Sequence, residues 1–229
     1  MIGLIDTTAV RTLERLNYEL QAGLVPPGGG VYRAVKRLLD VVLTIPLLIF
    51  LSPVMILTAL AVKLTSRGSA LFAQTRAGLR GRPFTMYKFR TMRTGAEGDR
   101  EFLAHLNETN GPVFKIAEDP RLTRIGRFLR RSSLDELPQL FHVLVGQMSL
   151  VGPRPQWLPE AEKAVGAARL RTAVKPGLTC LWQISGRSEL GYEKWVLLDL
   201  YYIQHRSTLL DVLIILQTVP AVLSGHGAY

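Results

Sequence analysis

The sequence predicts an α+β fold, mostly α, in which one apolar helical segment enters a membrane, amphipathic helices lie on the surface, and a small β-hairpin joins the body. Hydrophobic residues make up 48% of the 229 positions, yet the formal net charge is +10. The apolar excess is concentrated, because no charged residue occurs in the 22 positions between Asp40 and Lys63. As a straight helix that run would rise roughly 33 Å, enough to cross a hydrocarbon core. The remaining periodic segments are short and punctuated by glycine and proline. That is the mark of a mixed fold with small elements.

Composition excludes several classes. A chain with 48% hydrophobic and 20% charged residues is not disordered, and its length suffices for one domain with a core. The single cysteine, Cys180, excludes a disulfide framework and a cysteine-rich zinc site and suits a reducing compartment. The four histidines, His105, His142, His205 and His226, have no metal-ligand spacing. Phosphate-loop, nucleophile-elbow, H-E-x-x-H and dinucleotide-binding motifs are all absent from the sequence.

Residues 1–30 read as an appendage. Val10, Leu13, Leu16 and Leu20 recur at helical spacing before Pro26-Pro27-Gly28-Gly29-Gly30 stops the helix. It would be a surface helix packed on the body or on a second copy, and in the latter case it would make a homodimer. The apolar block follows, interrupted by Pro46 and Ser52-Pro53, with Arg33, Lys36 and Arg37 before it and Lys63 and Arg67 after it. Proline disfavours a straight helix, and basic flanks tend to stay cytoplasmic, so both ends favour one side. A kinked spanning helix and a re-entrant helix bent at Ser52-Pro53 both satisfy these residues.

Next, residues 70–72 and 84–89 read as short strands around a turn at residues 78–83, and residues 93–119 as a polar loop. Between Arg121 and Arg131, Leu122, Ile125, Phe128 and Leu129 fall on one face and arginines on the other. This is the pattern of a helix on an anionic membrane surface. The apolar segment from Leu209 to Leu223, cut by Asp211, Gln217 and Pro220, predicts an interfacial or core helix.

The densest chemistry lies at Arg130-Arg131-Ser132-Ser133-Leu134-Asp135-Glu136-Leu137-Pro138-Gln139. Pro138 places the start of a helix near Leu134 or Asp135, so two carboxylates would sit at its N-terminus, where backbone N–H groups keep a carboxylate ionised. Such a group serves as a nucleophile, and the adjacent arginines would grip phosphate oxygens. Ser133-Leu-Asp-Glu136 also fits a capping box that merely starts a helix, and the two roles are compatible. Gly152-Pro153-Arg154-Pro155, Lys175-Pro176-Gly177-Leu178-Thr179 with Gly186-Arg187, and the basic strand Tyr87-Lys88-Phe89-Arg90-Thr91 combine stiff or glycine-bearing backbone with cations, which suits approach to a phosphate. Asp199 and Asp211 are expected in salt bridges or solvated, although either could help hold a divalent cation.

Taken in order, Lys36-Arg37-Leu38-Leu39-Asp40, Ser52-Pro53, Tyr87-Lys88-Phe89-Arg90-Thr91-Met92, Ser133 to Gln139, Gly152-Pro153-Arg154-Pro155, Lys175 to Thr179 and Gly186-Arg187 resemble the bacterial sugar transferases, the monotopic phosphoglycosyl transferases. The resemblance runs from about Val31 to the C-terminus. The closing Gly-His-Gly-Ala-Tyr looks like the exopolysaccharide branch that transfers a hexose phosphate. The resemblance implies a UDP-sugar (UDP-glucose or UDP-galactose) bound with Mg²⁺, attack by Asp135 on the β-phosphorus with release of UMP, and passage of the sugar phosphate to undecaprenyl phosphate. It assigns Glu136 to Mg²⁺ or the proton, and Arg130, Arg154, Arg187, Lys88 and Arg90 to phosphate or nucleotide. Lys36, Arg37, Ser52 and Pro53 would then mark a re-entrant helix over about residues 36–66 of a domain spanning 31–229. The protein would be monotopic in the inner (cytoplasmic) membrane, its catalytic part facing the cytoplasm. Cys180 stands where such proteins usually carry glycine, residues 93–119 form a longer loop than in the smallest members, and no further membrane-spanning domain is expected. The alternative from another class is a membrane-anchored scaffold that binds anionic lipid without catalysis. A nucleic-acid partner, suggested only by charge, is not expected.

Overall fold

The computed structural model describes residues 29–108, 112–114, 116–187, 190–225 and 227. The N-terminal helix expected around Val10 to Leu20, the linker through Gly28, and the dimer they suggested lie outside these residues. The chain opens with α1 (Gly30–Thr65), followed by an antiparallel hairpin of β1 (Leu71–Ala77) and β2 (Pro83–Phe89) in the register Leu71↔Phe89 to Ala77↔Pro83. A long turn-rich segment leads to α2 (Arg124–Arg131), a 3₁₀ turn at Leu134–Glu136, α3 (Gln139–Leu144) and β3 (Ser149–Val151). Then come α4 (Leu158–Glu162), β4 (Gly177–Thr179), α5 (Leu181–Ile184), α6 (Tyr192–His205) and α7 (Thr208–Ser224). The mixed, mostly helical fold and its hairpin match the expectation. The parallel β3–β4 pair was not foreseen, because three-residue strands are too short to show a period.

The apolar block is one helix by its hydrogen bonding, with Pro46 and Pro53 inside it. Among the described residues it is the one helix long and apolar enough to cross a membrane. No break into two arms separates it at Ser52-Pro53. Instead the Ser52 hydroxyl donates to the Ile49 carbonyl at 2.8 Å, taking up an acceptor near the amide that Pro53 lacks. One stripe along α1 faces the body, with Asp40, Thr44, Thr58 and Val62 buried and Leu48, Leu51 and Met55 partly so. The opposite face, including Ile49, Phe50, Leu57 and Leu60, is bare hydrocarbon, far more than a soluble surface leaves in one patch.

Both ends of α1 are fastened to the same body. Lys36 donates to Asp211 and the Tyr202 hydroxyl, and Arg37 donates to the Val143 and Leu144 carbonyls at the end of α3, both at 2.7 Å. Asp40 accepts from the Ser149 hydroxyl and the Leu150 amide. At the far end, Arg90 donates to the Ser66, Arg67 and Ser69 carbonyls. Lys36 and Arg37, expected to mark the basic edge of the membrane segment, are therefore committed to the body.

The main core gathers Met86, Leu140, Val143, Met148, Leu150, Val151, Val196, Leu200, Tyr202, Ile203 and Ile214. A smaller cluster of Val62, Phe89 and Leu129 ties α1 to β2 and α2. The expectation for α2 needs correcting: Leu129 and Ile125 pack on the body, Arg130 turns inward, and the outer face carries Arg124, Arg127, Arg131 and one aromatic, Phe128. α7 is the apolar surface helix, burying Asp211 and Ile214 while Leu209, Leu213, Leu216, Val219 and Leu223 stay exposed. Asp211 and Asp199 are both held in ion pairs, with Lys36 and Arg171.

α2 starts where the Thr123 hydroxyl accepts from the Gly126 amide at 2.9 Å. Gly126 then crosses β2's extension so closely that a Cβ there would lie 1.8 Å from the Thr91 carbonyl oxygen. Gly126→Ala should therefore cost about 1–3 kcal/mol through forced displacement of backbone, read as a lowered denaturation midpoint. Gly29→Ala, where nothing lies within 4 Å, should leave that midpoint unchanged.

Candidate active site

A cavity of about 810 Å³ opens between the hairpin, α2, the 3₁₀ turn, the segment after β3 and α5. Among the described residues seven cationic side chains line it against four carboxylates, so it favours an anionic ligand. Lys88, Arg130, Asp135, Glu136, Arg154 and Arg187 all reach it, from five separate stretches of chain. Arg90 does not. It is buried, and its donors are spent on the carbonyls after α1. Lys36, Arg37, Ser52 and Pro53 also lie away from the cavity wall.

The strand pairing explains one wall. Partners across the hairpin share a face, so the Lys88↔Phe72 pair puts Lys88, Phe72, Gln74 and Arg76 on the cavity side. Lys88 Nζ lies 5.6 Å from the Phe72 ring. Arg76, overlooked in the sequence, donates to the Pro155 carbonyl at 3.0 Å and so braces the segment that bears Arg154. Once Lys88 is placed, hairpin register alone points to Arg76.

The carboxylate pair sits differently from a helix cap. Ser133 adopts a left-handed conformation (φ 56°) and its hydroxyl makes no capping bond, so the capping box does not form. The continuous helix expected from Leu134 is interrupted: Pro138 lacks an N–H, leaving the 3₁₀ turn at Leu134–Glu136 and then α3. Charge around Asp135 comes from side chains rather than from a helix end. Glu136 accepts from Arg154 at 2.7 Å and from Gln183 at 3.4 Å. Asp135 is 6% exposed and accepts no hydrogen bond among the described residues. Burial, with the Glu136 charge added, pushes the Asp135 carboxyl up to about 6, while Lys88, Arg130 and Arg154 restrain the rise. Burial also opposes charge on Glu136, but the Arg154 guanidinium outweighs it and holds Glu136 below the usual carboxylate range. Lys88 is brought down to about 8 by burial and then by Arg130. Asp135 is thus a buried carboxylate ringed by cations and without a hydrogen-bond partner among the described residues, in a cavity that suits an anionic ligand.

The stiff, glycine-bearing segments reach the site by packing on each other, not by cradling a ligand. A Cβ on Gly177 would lie 2.1 Å from the Gly152 amide nitrogen, and one on Gly152 would lie 2.5 Å from the Lys175 oxygen. The Gly152 amide donates to Thr179 and the Gly177 amide to Pro153. This crossing, continued by β3–β4, aims Arg154 at Glu136. Behind it Arg154 lies over the Trp182 ring at 5.6 Å, and Trp182 stacks on Trp195 at 4.9 Å. At another wall Arg100 covers Trp157 at 4.2 Å and pairs with Glu160, while Arg121 is locked to Asp119. These residues carried no sequence signal, because isolated aromatics and arginines read as ordinary core and surface.

Residues 31–225 match the family described as bacterial sugar transferase, and the chain belongs to that family. It is 48% identical over 162 residues to the galactosyl transferase CpsE of Streptococcus agalactiae, covering 70% of this chain and 36% of that one. It is 40% identical over 216 residues to the exopolysaccharide production protein ExoY of Sinorhizobium fredii, covering 91% and 93%. It is 42% identical over 212 residues to a UDP-glucose:undecaprenyl-phosphate glucose-1-phosphate transferase of Escherichia coli, covering 89% and 43%. The chain thus spans under half the length of two of these relatives and nearly all of ExoY.

Cys180, where glycine was expected, adopts an extended backbone (φ −156°) open to any residue and is 2% exposed. Burial pushes its thiol up to about 12, so almost no thiolate exists at pH 8. Alkylation of the folded protein at pH 8 should be slower than that of the denatured chain by at least about 100-fold, as measured by mass spectrometry.

Proposed function

We propose that the protein transfers a hexose 1-phosphate, glucose or galactose, from its UDP-sugar to undecaprenyl phosphate, releasing UMP, as the first membrane step of exopolysaccharide or capsule synthesis. The observation that carries this reading is the buried Asp135 carboxylate, close to Lys88, Arg130 and Arg154 and without a hydrogen-bond partner among the described residues. An Asp135 oxygen attacks the β-phosphorus, and the bond from that phosphorus to the bridging oxygen breaks. UMP leaves with the bridging oxygen and its electron pair, and the sugar phosphate stays on Asp135 as an acyl phosphate. A phosphate oxygen of the lipid then attacks the same phosphorus, freeing the carboxylate and forming the lipid-linked diphosphosugar. Two displacements replace one difficult transfer, and fixed cations offset the charge on the phosphoryl oxygens.

Among the described residues no group of three or more His, Cys, Asp or Glu could hold a metal. Magnesium in phosphoryl-transfer sites commonly rests on one or two carboxylates plus substrate phosphates, and this donor set fits that arrangement. Glu136 would hold Mg²⁺ together with the diphosphate, and when bound the ion neutralises charge on the transferred group. Arg154 keeps Glu136 ionised for that purpose, while Arg130, braced by Thr91 at 3.2 Å, and Arg187 grip phosphate oxygens.

The same reading makes the enzyme monotopic in the inner membrane, with α1 re-entrant and the body at the cytoplasmic face. Support comes from the fastening of Lys36 and Arg37 at one end of α1, and of residues 66–69 at the other, to one body: a helix crossing the bilayer would separate them. The exposed apolar faces of α1 and α7 would lie in lipid.

With a UDP-hexose, undecaprenyl phosphate and Mg²⁺ in nanodiscs, wild type should release UMP and Asp135→Asn should lose at least ~10³-fold in rate. Wild type without the lipid should accumulate a sugar-phosphate adduct on the peptide bearing Asp135. Full activity in Asp135→Asn would remove the covalent route. For topology, Arg33→Cys and Arg67→Cys, each in a Cys180→Ser background, should both react with a membrane-impermeant maleimide from the cytoplasmic side only. Reaction from opposite sides would establish a spanning helix.

A further inference from the structure

The chain leaves α7 through Gly225, in a left-handed conformation (φ 60°) with the Arg131 carbonyl oxygen 3.3 Å from where a Cβ would lie. Two residues on, Gly227 (φ 65°) lines the cavity and lies flat against the loop that carries Arg187. A Cβ on Gly227 would stand 2.6 Å from the Gly186 carbonyl oxygen and 3.2 Å from the Arg187 Cβ. The first distance is one that real Cβ atoms do not show, and its partner is backbone, so a side chain there displaces the loop. Arg187 needs a support of this kind. It is not glycine, yet it sits at φ 51°, a left-handed conformation costing of order 1–3 kcal/mol that persists only where its surroundings impose it. It is 5% exposed, its Nε reaches the Gln183 carbonyl only at 3.4 Å, and its two terminal nitrogens donate to nothing among the described residues. Its charge is felt by Glu136, across the cavity wall.

We infer that Gly227 is a positioning residue of the donor site: its backbone, packed without a side chain on Gly186 and Arg187, holds the Arg187 guanidinium where it meets a nucleotide-sugar diphosphate. The inference rests on the reading of Arg187 as a donor-phosphate contact. It makes the turn after α7 part of the active site, tying a helix with an exposed apolar face to the phosphate-binding arginine.

The test is a double-mutant cycle on the full-length enzyme in nanodiscs, reading KM for the UDP-sugar, KM for undecaprenyl phosphate, kcat and the thermal unfolding midpoint. Gly227→Ala should raise the donor KM by about 5- to 10-fold, leaving lipid KM and kcat within about twofold in a variant that still unfolds in one cooperative transition. Arg187→Ala should raise the donor KM by at least about 10-fold, and adding Gly227→Ala to it should raise it no further, because the two act through one guanidinium. A stop after Gly225 removes the packing without adding a clash and should raise the donor KM like Gly227→Ala, which keeps the test valid if the alanine variant does not fold. An unchanged donor KM in the stop variant and in folded Gly227→Ala, or effects that multiply in the double mutant, would overturn the inference while leaving Arg187 in its role. An unchanged donor KM in Arg187→Ala would instead overturn the donor-site reading of Arg187, and the inference with it.

Discussion

Two adjacent carboxylates buried in the wall of one cavity, Asp135 and Glu136, set the electrostatic problem that the surrounding structure solves. Burial disfavours both charges, and each disfavours the other. Glu136 is stabilised by a direct ion pair with Arg154, whereas Asp135 has cations near it and, among the described residues, none bonded to it. The asymmetry separates their character: one carboxylate is held ionised in a fixed ion pair, the other is pushed up by burial and left free of such a pair. Lys88, Arg130 and Arg154 come from β2, α2 and the segment after β3, so the pair is tolerable only when those three elements converge.

Convergence is achieved by bringing backbones into contact. Gly126 lies on Thr91, Gly152 on Gly177, and Gly227 on Gly186, and a methyl group at any of them would fall inside the approach distance of a backbone atom. Each crossing sits within a few residues of a cavity-lining cation: Arg130 after Gly126, Arg154 after Gly152, Arg187 after Gly186. Direct backbone contact leaves little freedom for the cation that follows.

The membrane-facing part of the protein is tied into the same framework by polar anchors rather than by hydrocarbon alone. Lys36 with Asp211, Arg37 with the end of α3, and Asp40 with Ser149 and Leu150 hold the start of α1, while Arg90 holds the chain that leaves it. Groups buried this way are costly to leave unmatched, so α1 has one seat on the body, and its bare apolar face has one orientation relative to the cavity.

Much was determined by the sequence alone. The uncharged block before Lys63, dominated by Leu, Ile, Val and Ala, predicted an apolar helix. The short run from Phe84 to Phe89, beside the glycine- and proline-bearing turn before it, predicted a strand, and the order of short motifs named the family. The adjacency of Asp135 and Glu136 is covalent and needed no fold to be seen. Tertiary structure decided what each cation near those motifs does. Lys88 and Arg90 are two residues apart, yet one faces the cavity and the other ties down the end of α1. Strand alternation would put both on one face, but Arg90 lies past the end of β2, where the Ser66, Arg67 and Ser69 carbonyls within reach decide its direction. Ser133 reads as a helix cap but takes a left-handed turn, because Pro138 denies the following residues a continuous helix. Arg76, Trp182 and the backbone at Gly227 join the site through contacts across about 30 to 80 positions of sequence. Local propensity carries no information about such contacts, so only the folded chain reveals them.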